Sequence, residues 1–455
     1  MKQHWTKDAF FYHIYLLGLC GAPFINVFED PIQNRLDQME PWLDHIQSLG
    51  ANAILLGPVF LSSSHGYDVA DYYQVDRRLG DIDALSRFSE RVHQRGIHLV
   101  LDAVFNHVGR AFWAFRDLVI HGEVPAYQCW FYNLRFGEFS PKGDPFAYES
   151  WNGHFDLLKL NLSNPAVRAH LFDAVAIMWI GCFDNDGLRL DTADCIDLDF
   201  LRALSTFTYQ QRSDFWLMGE VVHGDYRQYV NPETIHAVTN YECYKGSYSS
   251  LADANYFEIA HGLNRQFGDQ GIYQHLFLYN FVDNHDVDRV ASKLGEKALL
   301  YPLYILLLTM PGIPSVYYGS EWGIEGKKAN GSDAQLRPAL DIHILQTNAP
   351  QPELPATLCR LASIRKNSQA LLLGYYSQLF VAPQQFAFLR QVNGESVIVV
   401  LNSASQTEAV LLSVPWETGK LVDLLNPGQS FTIQSHKVEI QTPATWGRIL
   451  QWESR

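Results

Sequence analysis

Residues 82–107 read IDALSRFSERVHQRGIHLVLDAVFNH, and the order of the two patterns within them decides the fold. Ile82–Arg95 carries apolar residues at helical spacing and is ended by Gly96. Ile97–Val104 is a dense apolar run without alternation, as expected for a strand covered on both faces. The same step recurs on either side. Similar apolar runs, mostly not alternating, are Phe11–Leu19, Ala51–Leu56, Ile97–Val104, Gly187–Asp191, Phe215–Val222, Ile235–Thr239, Leu276–Asp283 and Ile313–Tyr318. Between them lie helix-like segments: Asn34–Leu49, ended by Gly50; Pro165–Ile180, with Asn164 as N-cap; and Leu198–Gln211. Eight β-α steps predict a (β/α)8 TIM barrel, an α/β fold.

Two regions break the repeat. About sixty residues separate the third run from the helix at Pro165, and they hold Trp113, Trp130 and Trp151 with little periodicity. We read residues 108–156 as a small subdomain inserted after strand 3, folded over the barrel mouth. From Gly374 the pattern alternates, with turn signals at Asn393-Gly394 and Asn426-Pro427-Gly428. Residues 374–455 therefore read as an antiparallel C-terminal β domain, a β-sandwich. That leaves residues 1–107 and 157–373 for the barrel.

Composition narrows the function. The 455 residues carry a formal net charge of −15, which disfavours nucleic acid and anionic membranes as partners. There is no Gly-rich phosphate loop. Aromatics are 13% of the chain, which suits sugar rings or bases as well as core filling. Six scattered cysteines form neither a zinc pattern nor a disulfide framework. Lys2 and Lys7 before the apolar stretch Phe10–Ala22 loosely mimic a signal peptide, but His13 interrupts the stretch and aromatics dominate it. We read that stretch as a buried strand and expect a soluble cytoplasmic protein.

In a barrel, chemistry belongs at the C-terminal ends of the strands. There the third run ends Asp102-Ala-Val-Phe-Asn106-His107, and the fourth reads Gly187-Leu-Arg189-Leu-Asp191. The fifth contains Gly219-Glu220-Val-Val, and the seventh ends Asp283-Asn284-His285-Asp286. Arg189 and Asp191 project to one side of their strand, leaving Leu188 and Leu190 to face the helices. An Arg beside Asp191 should lower that carboxyl's pKa and keep it ionised as a nucleophile. Glu220, between Gly219 and two valines, should have a raised pKa, as a general acid needs. Such an opposed pair is the machinery of a retaining glycosidase, with Asp286 as a third acid near the developing charge. Tyr67, in the loop after the second run, can offer a ring face to a sugar.

These motifs, in this order, resemble glycoside hydrolase family 13, the α-amylase family, over nearly the whole chain. Asp102–His107, Gly187–Asp191, Gly219–Val221 and Phe281–Asp286 are similar to its four conserved regions, and Gly312–Glu321 to its eighth-strand region. The resemblance implies Asp191 as nucleophile, Glu220 as acid/base and Asp286 as transition-state stabiliser. It implies Tyr67, Asp102, His107, Arg189 and His285 as substrate-binding residues. Leu157-Leu-Lys159-Leu-Asn161, the loop His65–Tyr72 and Gly219–His223 look like the neopullulanase and cyclomaltodextrinase group. That group carries an extra N-terminal domain, whereas here the first barrel strand begins near residue 10; the oligomeric state is left open. Asp194 and Cys195 stand where calcium-dependent members carry a Lys-His pair. With Asn106 alone kept, the calcium site is incomplete, and no cofactor or essential metal is expected.

The resemblance implies a retaining hydrolase of α-1,4-linked maltooligosaccharides, cyclodextrins or starch fragments. A glucanotransferase or isomerase uses the same first half-reaction with a sugar hydroxyl as acceptor. A non-catalytic binding or partner module is disfavoured because all three acids and Arg189 are present.

Overall fold

The computed structural model describes residues 4–123, 126–329 and 331–454; Lys2, cited above for the signal-like stretch, lies outside them. Eight parallel strands form the first sheet: β1 (Phe11–Ile14), β2 (Ala53–Leu56), β3 (His98–Ala103), β4 (Gly187–Leu190), β5 (Trp216–Gly219), β6 (Ala237–Val238), β7 (Tyr279–Asn280) and β8 (Ile313–Tyr317). Neighbours run 6-5-4-3-2-1-8-7, and a parallel bridge between Thr239 and Tyr279 closes the ring. The result is a (β/α)8 barrel.

Side chains alternate across the barrel wall with period two. Phe11, Ala53, Leu55, Val100, Trp216, Met218, Ala237 and Ile313 fill the inside. Tyr12, Ile54, Leu56, Leu99, Leu101, Leu188 and Leu190 join the layer that packs on the helices. Register places Arg189 of β4 beside Asp102 of β3 and Met218 of β5. Gly187 permits that spacing: a Cβ there would sit 2.4 Å from the Trp216 carbonyl oxygen.

The helices start and stop where local chemistry dictates. Asp81 accepts from the Ala84 N–H at 2.8 Å and caps α1 (Ile82–Gln94). Gly96, at φ +68°, turns the chain back into β3. Asn164 caps α2 (Pro165–Ala174) through the Ala166 and Val167 N–H groups. This helix runs on as a wider π-helical stretch over Val175–Cys182. The segment Leu198–Gln211 is α3, as its sequence indicated.

Several expectations are corrected. The run Phe11–Leu19 is a strand only to Ile14; Leu16–Leu19 is a helical turn whose leucines are buried. Short apolar runs do not distinguish the two. The sixth and seventh runs shrink to two-residue strands. The insertion is more regular than its sequence suggested, with a helix at Trp113–His121 and a three-stranded sheet of His107–Gly109, Ser150–Trp151 and His154–Lys159. That sheet begins at His107 and returns through Lys159, so both drawn boundaries, 108 and 156, fall inside strands.

The C-terminal region comprises β9 (Tyr375–Val381), β10 (Gln385–Val392), β11 (Glu395–Asn402), β12 (Glu408–Ser413), β13 (Thr418–Asp423), β14 (Ser430–Gln434), β15 (Lys437–Thr442) and β16 (Trp446–Glu453). Hydrogen bonds link them in one continuous antiparallel sheet, order 9-10-11-16-13-14-15-12. The sheet encloses its own core of Leu389, Ile398, Val400, Leu412, Leu421, Ile433, Ile440 and Leu450. The other face of β10, β11 and β16 (Phe386, Phe388, Val397, Val399, Leu401, Ile449) joins the barrel's outer core. Asn393 and Gly394, at φ +48° and +85°, make the β10–β11 hairpin turn.

Candidate active site

At the C-terminal ends of the barrel strands lies a cavity of about 1300 Å³, walled on one side by the inserted sheet. Tyr67, His107, Asp191, Glu220 and Asp286 line it. Arg189 and Asp102 lie beneath them. The Arg189 Nη1 donates to both Asp102 oxygens at 2.8 Å and to Asp191 Oδ1 at 3.0 Å. Its Nη2 lies 2.7 Å from Glu220 Oε2. One buried guanidinium thus gathers three buried carboxyls from adjacent strands.

The electrostatics follow from that ratio. Glu220 is raised above the usual carboxylate range, by burial first and by nearby Asp286 and Asp102, against the pull of Arg189. Asp102 is raised too, again chiefly by burial. Arg189 lowers Asp191 as expected, but the net direction is the reverse of the one expected. Burial, with Glu220, Asp102 and Asp286 adding to it, outweighs Arg189 and pushes Asp191 well up. One cation is divided among three buried carboxyls, so its pull on each is outweighed by burial.

Each acid is held by further contacts. Glu220 accepts from the Tyr241 hydroxyl at 3.0 Å and from the Thr192 N–H at 3.3 Å. Thr192 sits at φ +45°, ψ +46°, a strained conformation for a β-branched residue directly after Asp191. Asp286, the most open of the acids at 37% side-chain exposure, accepts from Arg337 Nη2 at 2.9 Å and lies 3.0 Å from His285 Nε2.

The histidines are neutral hydrogen-bonding groups. Burial lowers His107 to about 3 and takes His285 well below its usual value. Asn106 Nδ2 lies 3.1 Å from His107 Nδ1, and His107 Nε2 is buried 3.9 Å from Asp191 Oδ2. Trp151, from the inserted sheet, stacks on His107 with centroids 5.4 Å apart.

Three of the expected substrate-binding residues lie behind the cavity wall. Asp102 was taken as a sugar contact, but it lies behind the cavity wall, binding Arg189 and the Tyr67 hydroxyl (2.9 Å); it positions those groups. Arg189 and His285 are likewise behind the wall rather than on it. Tyr67 bonds to His285 through its hydroxyl, with the two rings nearly coplanar and their centroids 5.5 Å apart, so His285 meets the edge of Tyr67 and covers neither of its faces. Trp151 is one of the tryptophans expected in the insertion, whereas Tyr241, Thr192 and Arg337 were not foreseen. Tyr241 follows a strand end and was findable by the rule used for the others; Arg337, in a loop some fifty residues beyond Asp286, had no such signal.

Among the described residues, no group of three or more His, Cys, Asp or Glu side chains is arranged to hold a metal ion. Asn106, the one calcium ligand kept in the sequence, uses its amide on His107, and Asp194 accepts the Val222 N–H at 3.3 Å.

A (β/α)8 barrel with buried, arginine-gathered carboxyls facing an aromatic-walled cavity defines a carbohydrate-cleaving enzyme. The chain belongs to the alpha-amylase family: the family described as "Alpha amylase, catalytic domain" matches residues 36–352. It is a glycoside hydrolase. A cyclomaltodextrinase of Geobacillus thermopakistaniensis is 28% identical, aligned over 96% of this chain and 76% of its own. Neopullulanase 2 of Thermoactinomyces vulgaris is 32% identical over 83% of this chain and 64% of its own. The solved structure of an α-amylase from Geobacillus thermoleovorans, complexed with acarbose, superposes with a TM-score of 0.82 at 25% identity, covering both chains fully.

Proposed function

We propose that this chain hydrolyses α-1,4 bonds of maltooligosaccharides and cyclodextrins with retention, using Asp191 as nucleophile and Glu220 as acid/base. The carrying observation is the single guanidinium of Arg189, which holds both carboxyls side by side between β4 and β5. The relatives' names support the substrate class.

Burial raises both carboxyls, so the reactive form is the one in which the proton sits on Glu220 and Asp191 is ionised, with Arg189 Nη1 donating to it at 3.0 Å. Asp191 forms the bond to the anomeric carbon as Glu220 gives its proton to the departing glycosidic oxygen. Glu220, now a carboxylate, takes a proton from water, whose oxygen displaces Asp191 and restores both groups. The positive charge that develops at the sugar acts as a second cation for the acidic cluster, so the site binds the transition state better than the ground state. His107 and Asp286 bind sugar hydroxyls, and Tyr241 and Thr192 hold Glu220.

Six free cysteines, four of them exposed, suit a reducing compartment, and no described helix is long and apolar enough to cross a membrane. These support a cytoplasmic address.

The test is maltoheptaose and β-cyclodextrin, with products followed by NMR. We expect α-anomers first, and a fall of at least about 10⁴-fold in kcat for Asp191→Asn. Initial β-anomers, or an Asp191→Asn variant as active as wild type, would sink the mechanism. EDTA should leave the rate unchanged; loss of activity restored by calcium would refute the metal-free reading.

A further inference from the structure

We infer that Phe24, presented by a loop clamped beneath it, is a sugar-binding platform that extends the substrate cleft beyond Tyr67. This rests on the proposed glucan-hydrolase reading and adds where longer chains are held.

Phe24 lines the catalytic cavity and is 68% exposed. An exposed apolar ring on an untethered loop would be unremarkable. This loop is tethered by charge. Arg78, buried, donates through Nη1 to the backbone carbonyls of Pro23 at 2.9 Å and Phe24 at 2.8 Å. Its other nitrogens hold Asp76, which has no solvent exposure, as a fork: Nε to Oδ1 at 2.9 Å and Nη2 to Oδ2 at 2.7 Å. Asn26, two residues beyond Phe24, donates to the Ser62 carbonyl at 2.7 Å, and its N–H reaches the Ser63 carbonyl at 2.9 Å.

The loop is therefore docked on the segment that leads into Tyr67, so Phe24 and Tyr67 share one wall, while Trp151 comes from the inserted sheet. A buried arginine spent on two carbonyls of an exposed loop rigidifies the ring before any ligand arrives, which reduces the ordering cost of binding. A flat, apolar, pre-positioned ring beside a polar catalytic floor fits the apolar face of a glucosyl unit. Such a unit lies outside the bond being cut, so its contacts act on binding rather than on chemistry.

The experiment compares maltoheptaose with maltotriose. Phe24→Ala should raise KM for maltoheptaose about tenfold with kcat little changed, and lower the maltoheptaose-to-maltotriose ratio of kcat/KM by a similar factor. Phe24→Tyr, which keeps the ring, should retain most of that ratio. Arg78→Lys, which loses the fork, should raise KM in the same direction and add little in the Phe24→Ala background. An unchanged ratio in Phe24→Ala overturns the assignment, as does an equal loss in Phe24→Tyr. A Phe24→Ala variant with wild-type kinetics but altered sedimentation would make the ring a protein contact and also overturn it. Wild-type enzyme that leaves maltoheptaose intact fails the proposed function itself, a result distinct from all of these.

Discussion

At the scale of single residues, the site trades stability for chemistry. Asp191 is buried among Glu220, Asp102 and Asp286 with a share of one guanidinium, and its carboxyl is raised well above the usual range. A carboxyl raised in the folded state binds protons more tightly there than in the unfolded chain. Its favourable contribution is complete below about pH 4, the unfolded value, and is lost as pH rises toward the folded one. Asp191→Asn removes that pH-dependent penalty while keeping the shape. The variant should therefore melt higher than wild type at pH 7, by about 2 °C or more, with the gap narrowing as pH falls toward 4. Melting curves of both proteins across that range check this; a gap that widens toward acid would reverse the assignment of the raised carboxyl. A step in the curve belongs to the cluster rather than to Asp191 alone, because the carboxyls titrate together.

At the scale of elements, what could be read in the sequence is what has a period or a cap. The helix Leu198–Gln211 and the strand Gly187–Leu190 were legible because several turns, or one clean alternation, distinguish them. The two-residue strands β6 and β7 are shorter than any period can resolve, and barrel closure rather than local preference sets their limits. The inserted strands at Ser150–Trp151 and His107–Gly109 exist because each pairs with His154–Lys159, and non-local pairing leaves no mark on a short window. The π-helical stretch Val175–Cys182 is equally silent, since its apolar residues also fit an α-helix. The candidate site divides in the same way. Asp191, Glu220, Asp286 and His107 were readable because strand ends deliver them. That Arg189 serves three carboxyls, and that the net direction expected for Asp191 is reversed, depends on register between β3, β4 and β5 and on burial. No spacing within one strand carries that information.

At the scale of the whole molecule, the barrel and the C-terminal sheet are joined through a buried helix end. The helix Leu300–Thr309 is apolar on nearly every side, so the carbonyls of its last turn find no water. Two buried arginines supply the donors. Arg365 donates to the carbonyls of Leu308 at 2.9 Å and Gly312 at 2.5 Å; Arg390, from β10, donates to those of Thr309 at 2.7 Å and Gly374 at 3.0 Å. A helix C-terminus is the favourable end for a cation. The charge is nonetheless costly, because burial, with Arg365 beside it, pushes the Arg390 guanidinium well below its usual range. Replacing a buried charge by an apolar side chain is often neutral when it leaves nothing unpaired. Here it orphans two carbonyls, each worth about 1–3 kcal/mol, and we expect that loss to win. Arg390→Met, which keeps the volume, should destabilise by about 2–4 kcal/mol. Arg390→Ala should cost more, since it also leaves a cavity. Urea unfolding, with limited proteolysis near Gly374 to report on the junction, checks the order wild type, Met, Ala. An Arg390→Met protein as stable as wild type would mean that the carbonyls at the junction do not depend on Arg390, and that apolar packing of β10, β11 and β16 against the barrel holds the two parts together unaided.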